Sequence, residues 1–193
     1  MDAIETKTIG KYKIEIISDD DPCDPRGDDN LGTMVCFHRG YNLGDDHSFD
    51  DPAALNQYLK SVKRKMGVIL PLYLYDHSGI TMNTTGFTCH FDSGQVGVIY
   101  ITKEKMREEY SYQRVSKKLI ARVTQYLIGE VETYDQYLTG DVYGFRITNI
   151  DTDEEVDSCW GFYGSDYCME EAEGIVNYRL GVDKHGQLEF QME

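Results

Sequence analysis

Apolar and polar side chains alternate along several short stretches of the chain, and this period of two residues predicts β-strands. In residues 11–18, Tyr12, Ile14 and Ile16 fall on one side of an extended chain, while lysine and glutamate fall on the other. Longer apolar runs predict more deeply buried strands, at residues 31–38, 68–75 and 95–102. Pro71 cannot donate a hydrogen bond to a neighbouring strand, which indicates a sheet edge or a bulge there.

Helical spacing replaces this alternation in two places. Asp51 is a good N-cap followed by Pro52, and apolar residues then recur at helical spacing, at Leu55, Leu59, Val62 and Met66. Gly67 is expected to end this helix in the left-handed conformation. Residues 103–129 predict a further helical region that breaks near Ser111, with an apolar stripe formed by Val115, Leu119, Ile120, Val123 and Leu127.

The C-terminal third predicts a hairpin of residues 141–148 and 156–163, joined by an acidic turn. A short helix over about residues 166–175 and two strands, at 177–182 and 188–192, are expected to follow. Strands outnumber helices and mostly follow one another as hairpins, which predicts an α+β fold with mainly antiparallel sheets and about three to four helices. The length suits a single compact domain over residues 1–193, with acidic loops at 19–30 and 39–50.

Three consecutive residues, Asp76, His77 and Ser78, raise the question of a hydrolytic triad. A triad requires side chains that converge in space, whereas neighbours in an extended chain point to opposite sides. We therefore predict a tight turn that ends at Gly79, with this glycine supplying the permissive conformation. No glycine-rich phosphate loop and no His-Glu-x-x-His motif occurs, so the sequence favours a protein that is not an enzyme and needs no cofactor.

A metal site is the alternative that the acidic loop at 39–50 leaves open. Carboxylates with an imidazole suit Mg²⁺ or Mn²⁺, and the candidate ligands for a metal-dependent hydrolase are Asp45, Asp46, His47, Asp50, Asp51, Asp76 and His77. Their spacing matches no recognised ligand pattern, and Asp51 is needed as a helix cap. The preferred interpretation is therefore a solvated acidic loop without a metal.

The five cysteines form no Cys-x-x-Cys pair, which disfavours both a disulfide framework and a structural zinc site. Cys36, Cys89 and Cys159 have apolar or aromatic neighbours and are predicted to be buried thiols in a reducing cytosol. No apolar run approaches the roughly 20 residues that span a bilayer, so no membrane association is expected. The N-terminus also lacks the pattern of a secretory signal.

Charge is the strongest compositional signal. The formal net charge is −15, and residues 1–51 and 130–193 carry nearly all of the acidic excess, while residues 52–129 are basic. Phosphates are repelled by an acidic surface, so direct binding of double-stranded DNA is not expected. A basic protein partner would instead be attracted and steered.

Several strings together resemble a family of small acidic proteins, without an assigned reaction, that tailed bacteriophages and related mobile elements carry. The strings are DNLGTMVCFHRGYNLGD (29–45), LPLYLYDHSGITM (70–82), FDSGQVGVIY (91–100), GEVETYDQYLTGDVYGF (129–145) and DSCWGFYG (157–164). The resemblance covers most of residues 11–164. It implies an accessory protein in the cytoplasm of an infected bacterial host.

In that setting, the leading hypothesis is a counter-defence protein of the anti-CRISPR or anti-restriction type. Its acidic surfaces would occupy the nucleic-acid channel of a host defence nuclease, with aromatic side chains as apolar anchors. The residues expected to bind this partner are Asp19, Asp20, Asp21, Asp28, Asp29, Asp151, Asp153, Glu154, Glu155 and Trp160.

A second hypothesis is a binding protein that sequesters a small nucleotide signal. Trp160 or a tyrosine would stack on the base, and Arg39 or the basic residues within 114–122 would hold phosphate. This hypothesis requires a pocket that combines aromatic and basic groups within a mostly acidic protein.

Overall fold

The computed structural model describes residues 2–89 and 91–181, which form two antiparallel four-stranded sheets and four α-helices. In chain order the elements are β1 (Glu5–Ile9), β2 (Tyr12–Ser18), β3 (Thr33–Cys36), α1 (Pro52–Ser61), β4 (Met66–Asp76), β5 (Ile80–Asn83), β6 (Ser93–Thr102), α2 (Lys103–Tyr110), α3 (Lys117–Thr139), β7 (Val142–Asn149), β8 (Glu154–Tyr163) and α4 (Ser165–Leu180). The predicted α+β class with antiparallel sheets is confirmed.

Packing divides the chain into two compact units. The terminal unit contains the residues up to Cys23 and those from Gly140 onward, and the central unit is Asp24–Thr139. The expectation of one domain over residues 1–193 stays a prediction, and each unit is described by itself.

The terminal unit is a sheet of strand order β1-β2-β7-β8 with α4 packed on one face. The alternation predicted in β2 is confirmed, because Ile14 and Ile16 are fully buried against Phe145 and the α4 residue Ala172. The strand predicted at 177–182 is wrong for Asn177–Leu180, because these residues continue helix α4. The residue just before them, Val176, is fully buried. The strand predicted at 188–192 lies outside the described residues.

The central unit is a sheet of order β3-β6-β4-β5, and α3 packs against it. Of the predicted α3 stripe, Leu119, Val123 and Leu127 are buried. The helix passes its predicted end at residue 129, and its buried stripe goes on through Val131 and Tyr134. The predicted break is confirmed, because α2 ends at Ser111 with a left-handed backbone (φ 52°).

Helix α1 begins as predicted but ends earlier. The Asp51 carboxylate accepts a hydrogen bond from the Ala54 N–H at 2.7 Å, and Pro52 is the first helical residue. Gly67 is not its cap, because Met66 and Gly67 already belong to β4. Pairing of Met66 with Thr102 overrides the helical spacing, and a Cβ atom at Gly67 would collide with Met106 of α2.

Strand β4 has β6 on one side and β5 on the other. Its pairing with β5 begins only at Tyr73, and a register shift between Leu72 and Tyr73 follows Pro71 directly, as its missing donor predicts. The turn after Asp76 is also confirmed, but Ser78 (φ 61°) rather than Gly79 adopts the left-handed conformation.

Candidate functional site

The β7–β8 hairpin of the terminal unit ends in an ordered acidic turn. The Asn149 side chain accepts a hydrogen bond from the Asp151 N–H at 3.0 Å, and the Asn149 carbonyl accepts one from the Asp153 N–H at 2.8 Å. Asp153 itself adopts a left-handed conformation (φ 58°), which aspartate tolerates better than most residues. The turn is therefore held by its own hydrogen bonds.

Four carboxylates cluster at this turn, and we call them the acidic tip: Asp151, Asp153, Glu154 and Glu155. All four residues are exposed. None of them forms an ion pair with a cation within residues 2–89 and 91–181, although Glu155 accepts a hydrogen bond from Ser158 at 2.8 Å. The tip therefore presents negative charge that the described part of the protein does not neutralise.

Trp160 lies on β8, the strand that leaves the acidic tip. Its indole covers the backbone of Gly144, where a Cβ atom would overlap the ring, and 47% of the residue surface remains exposed. Cys159, predicted to be buried, is exposed beside it, at a register irregularity between Tyr143 and Phe145. A half-exposed tryptophan near a charged turn is the type of residue that anchors protein interfaces.

The acidic residues predicted in the 19–30 loop do not form one cluster with a common role. Asp19 is half-buried and its carboxylate accepts a hydrogen bond from the Asp21 N–H at 3.2 Å, so Asp19 shapes the turn. Asp20 and Asp21 are exposed in the terminal unit, whereas Asp28 and Asp29 belong to the central unit. The acidic residues of this loop, although close in the sequence, are thus divided between the two units.

The predicted metal ligand Asp45 has a different structural role. Arg26 donates to both of its carboxylate oxygens, at 2.7 and 2.9 Å, and the Met34 N–H donates to one of them at 2.8 Å. Arg26 also pairs with Glu130 at 3.1 Å. Burial opposes the charge of Arg26, but these hydrogen bonds and ion pairs prevail and raise the pKa of the guanidinium.

The other predicted ligands do not converge on one point. His47 lies with Nε2 2.9 Å from the Cys36 carbonyl oxygen, and Asp51 caps α1. Asp76 lies 3.7 Å from His38, while His77 lies 3.5 Å from Asp92, and Asp46 and Asp50 are exposed in their loop. Within the described chain, no three side chains of the ligand types His, Cys, Asp and Glu form a group that would hold a metal.

No protein-family model, curated protein sequence or solved structure matches the chain. Across the described residues, every helix is too short or too polar to cross a lipid bilayer. The functional proposal therefore depends on the geometry and charge of the molecule and, for its phage setting, on the resemblance of the strings quoted above.

Sequence reasoning missed two features of the central unit. One is the network of Arg26, Asp45 and Glu130, whose members are far apart in the chain. The other is the pair of cavities beside Arg122: the second hypothesis named the basic residues within 114–122 and a tyrosine, but it did not identify Tyr110, Tyr112 or Tyr126. A single arginine between Pro25 and Gly27 in an otherwise acidic loop was the available signal for the network.

Proposed function

We propose that the protein is a phage-encoded counter-defence protein that binds and inhibits a nucleic-acid-directed defence enzyme in the cytoplasm of the infected bacterial host. The observation that carries this proposal is the acidic tip. Its four exposed carboxylates lack cationic partners in the described chain, and its strand continues to the half-exposed Trp160. The inhibition is of the anti-CRISPR or anti-restriction type.

The distribution of charge between the two units supports this proposal. The sequence of the terminal unit carries 19 acidic and 6 basic side chains, a net charge of −13, whereas that of the central unit carries 15 acidic and 13 basic side chains, a net charge of −2. A strongly negative unit repels nucleic acid and attracts the basic channel of a nuclease. Its acidic tip then occupies positions that phosphates occupy in the active enzyme.

Charge and aromatic contact contribute differently to such a complex. Exposed carboxylates mainly accelerate association and select a basic partner, and salt screens this contribution. A buried aromatic anchor mainly slows dissociation. Trp160 is therefore expected to set the lifetime of the complex. The acidic tip is expected to set the rate at which the complex forms and the dependence of that rate on salt.

The proposal is tested by affinity capture from lysates of bacteria that express a restriction or CRISPR nuclease. The immobilised protein is washed at about 50 mM and then about 300 mM sodium chloride, which shortens the screening length from roughly 14 Å to roughly 6 Å. We expect a nuclease to be retained at low salt and released at the higher salt. A captured nuclease counts only when the protein also blocks its cleavage of DNA or RNA.

Two variants with the same change in net charge separate a specific role from general acidity. The tip variant is Asp151→Asn, Asp153→Asn, Glu154→Gln and Glu155→Gln, and the control is Asp2→Asn, Glu5→Gln, Glu170→Gln and Glu171→Gln. All eight residues are exposed in the terminal unit. Loss of capture in the tip variant alone supports the proposal, and equal capture by both variants contradicts it.

A further inference from the structure

Two neighbouring cavities of the central unit share Arg122 as a wall. The cationic cavity has a volume of about 370 Å³, and its lining includes Tyr112, Arg114, Lys118 and Arg122. The tyrosine cavity has a volume of about 280 Å³, and its lining includes Asp29, Glu109, Tyr110, Arg122 and Tyr126. Small-molecule sites in proteins commonly have volumes of roughly 300–1,000 Å³, so the pair suits a ligand of modest size.

The chain between α2 and α3 builds the cationic cavity. The left-handed Ser111 ends α2, and Ser116 starts α3 by accepting a hydrogen bond from the Leu119 N–H at 3.2 Å. The lining residue Tyr112 therefore follows the end of one helix directly, and Arg114 lies before the start of the next. The N-terminus of α3 already has Ser116 as its cap.

The cations of this cavity are arranged unfavourably for the protein alone. Lys118 and Arg122 are four residues apart in α3, a spacing that places like charges next to each other and is unfavourable. Within the described chain, none of Arg114, Lys118 and Arg122 forms an ion pair. An anionic ligand would relieve this repulsion.

Arg122 connects the two cavities. Its guanidinium carbon lies 5.1 Å from the centroid of the Tyr110 ring, a distance at which the cation is attracted to the ring face. One side of the cavity pair therefore carries positive charge with no carboxylate among the described residues of its lining, and the other combines tyrosine rings with Asp29 and Glu109.

We propose that this pair of cavities binds a nucleotide. The phosphates lie among Arg114, Lys118 and Arg122, and the nucleoside lies in the tyrosine cavity, where Tyr126 is half exposed and available for stacking. Asp29 and Glu109 suit the hydroxyl groups of a ribose or the amino groups of a base, which donate hydrogen bonds. The same two carboxylates repel a bare phosphate ion, so a nucleoside phosphate fits the pair better.

This site lies wholly in the central unit and does not depend on the acidic tip of the terminal unit. The counter-defence proposal and the nucleotide proposal can therefore succeed or fail separately. Among the predicted partner-binding residues, Asp29 is the one that lines the tyrosine cavity.

The test is isothermal titration calorimetry of the full chain with each of the four ribonucleoside triphosphates, with the four nucleosides and with pyrophosphate. We expect at least one triphosphate to bind at least tenfold more tightly than its nucleoside and than pyrophosphate. Heat only with pyrophosphate, tighter binding of a single-stranded oligonucleotide than of every triphosphate, or no triphosphate binding at about 1 mM overturns the proposal.

Matched variants assign the binding to these cavities. Arg114→Gln with Lys118→Gln is expected to weaken triphosphate binding at least tenfold. The control pair Lys60→Gln and Lys63→Gln removes the same charge from exposed positions in and after α1 and is expected to leave the affinity unchanged within a factor of two. Unaltered melting curves establish that both variants fold, and an equal loss of affinity in both pairs contradicts the assignment.

Discussion

Ser78, Ser111 and Asp153 are the residues other than glycine that adopt a positive φ in the described chain. Each lies where the backbone reverses or a helix ends: Ser78 in the β4–β5 turn, Ser111 after α2, and Asp153 in the β7–β8 turn. A side chain in this conformation has a steric cost that glycine avoids. These residues therefore mark places where the fold imposes a conformation that the residue type does not prefer.

Ser111→Gly is expected to stabilise the protein by about 1 kcal/mol, because glycine adopts the left-handed helix end without steric cost. Ser61→Gly is the control, since Ser61 lies in the last turn of α1 and its replacement is expected to destabilise by up to about 0.5 kcal/mol. Urea unfolding of both variants measures the two changes. A change in the free energy of unfolding that has the same sign in both variants would refute the role given to Ser111.

The cysteines differ in their protonation as well as in exposure. Burial raises the pKa of Cys36 and of Cys168 to about 12, and a nearby Asp45 adds to the effect on Cys36. Cys23 and Cys159 are exposed. A thiol in the unfolded chain has a pKa of about 8.5, so the folded state keeps protons that the unfolded state loses above that pH.

These two thiols are therefore expected to lower the free energy of unfolding as the pH rises from about 8.5 toward 12. Between pH 6 and 8 they are expected to leave it unchanged. At pH 8, Ellman's reagent is expected to label Cys23 and Cys159 within minutes and to spare Cys36 and Cys168, as fragmentation of the tryptic peptides by tandem mass spectrometry would show, since Cys159 and Cys168 share the peptide 147–179. Urea-unfolded protein is the control, in which every cysteine reacts. Rapid labelling of Cys36 in the native protein would contradict its burial.

At the scale of elements, the network around Arg26 fastens the loops before and after β3 to α3. Only 4% of the Arg26 side chain is exposed, and Glu130 of α3 also accepts hydrogen bonds from the Leu31 and Gly32 N–H groups, at 2.7 Å and at 3.1–3.2 Å. Removal of the arginine leaves Asp45 and Glu130 without their common cation in a largely buried site.

Arg26→Met is accordingly expected to destabilise the protein by about 3–5 kcal/mol. Arg146→Met, which removes the more exposed ion pair with Glu15, is expected to cost less than about 1 kcal/mol. Both effects are measured as shifts of the urea unfolding midpoint. The comparison requires that the free energy of unfolding depends on urea concentration with the same slope in every variant. Similar small changes in the two variants would show that the Arg26 network is not structurally important.

Trp160 is the single tryptophan, so its fluorescence reports directly on its contact with β7. Gly144→Ala is expected to displace the indole and shift its emission to longer wavelength, because the added methyl group overlaps the ring. Among the described residues, no atom lies close to a methyl group added at Gly94, and Gly94→Ala serves as the control. Unchanged emission in Gly144→Ala would contradict the packing described for Trp160.

Local spacing predicted much of the fold, and non-local contacts explain the rest. The alternation in β2, the cap at Asp51 and the break at Ser111 all depend on residues within a few positions of one another. Strand pairing, by contrast, drew Met66 out of the predicted helix, and packing of α4 against its sheet kept Asn177–Leu180 helical. The network around Glu130 and the tyrosine cavity at Arg122 join distant segments, so hydrophobic periodicity contains no information about them.

At the scale of the whole molecule, the fold preserves the segregation of charge that the sequence shows. The terminal unit holds most of the acidic excess, while the central unit is nearly neutral and contains the basic residues beside Arg122. The acidic residues of the tip could be identified from the sequence, but their exposure, their lack of cationic partners in the described chain and the position of Trp160 required the structure.

The most direct test of the central claim is the rate at which a captured defence nuclease cleaves its target, measured at rising concentrations of both this protein and the target nucleic acid. We predict competitive inhibition: the concentration of protein needed for half inhibition rises with the concentration of target, and the tip variant needs at least tenfold more protein than the control variant. Cleavage that proceeds unchanged, or inhibition that is equal for the two variants, would contradict the account.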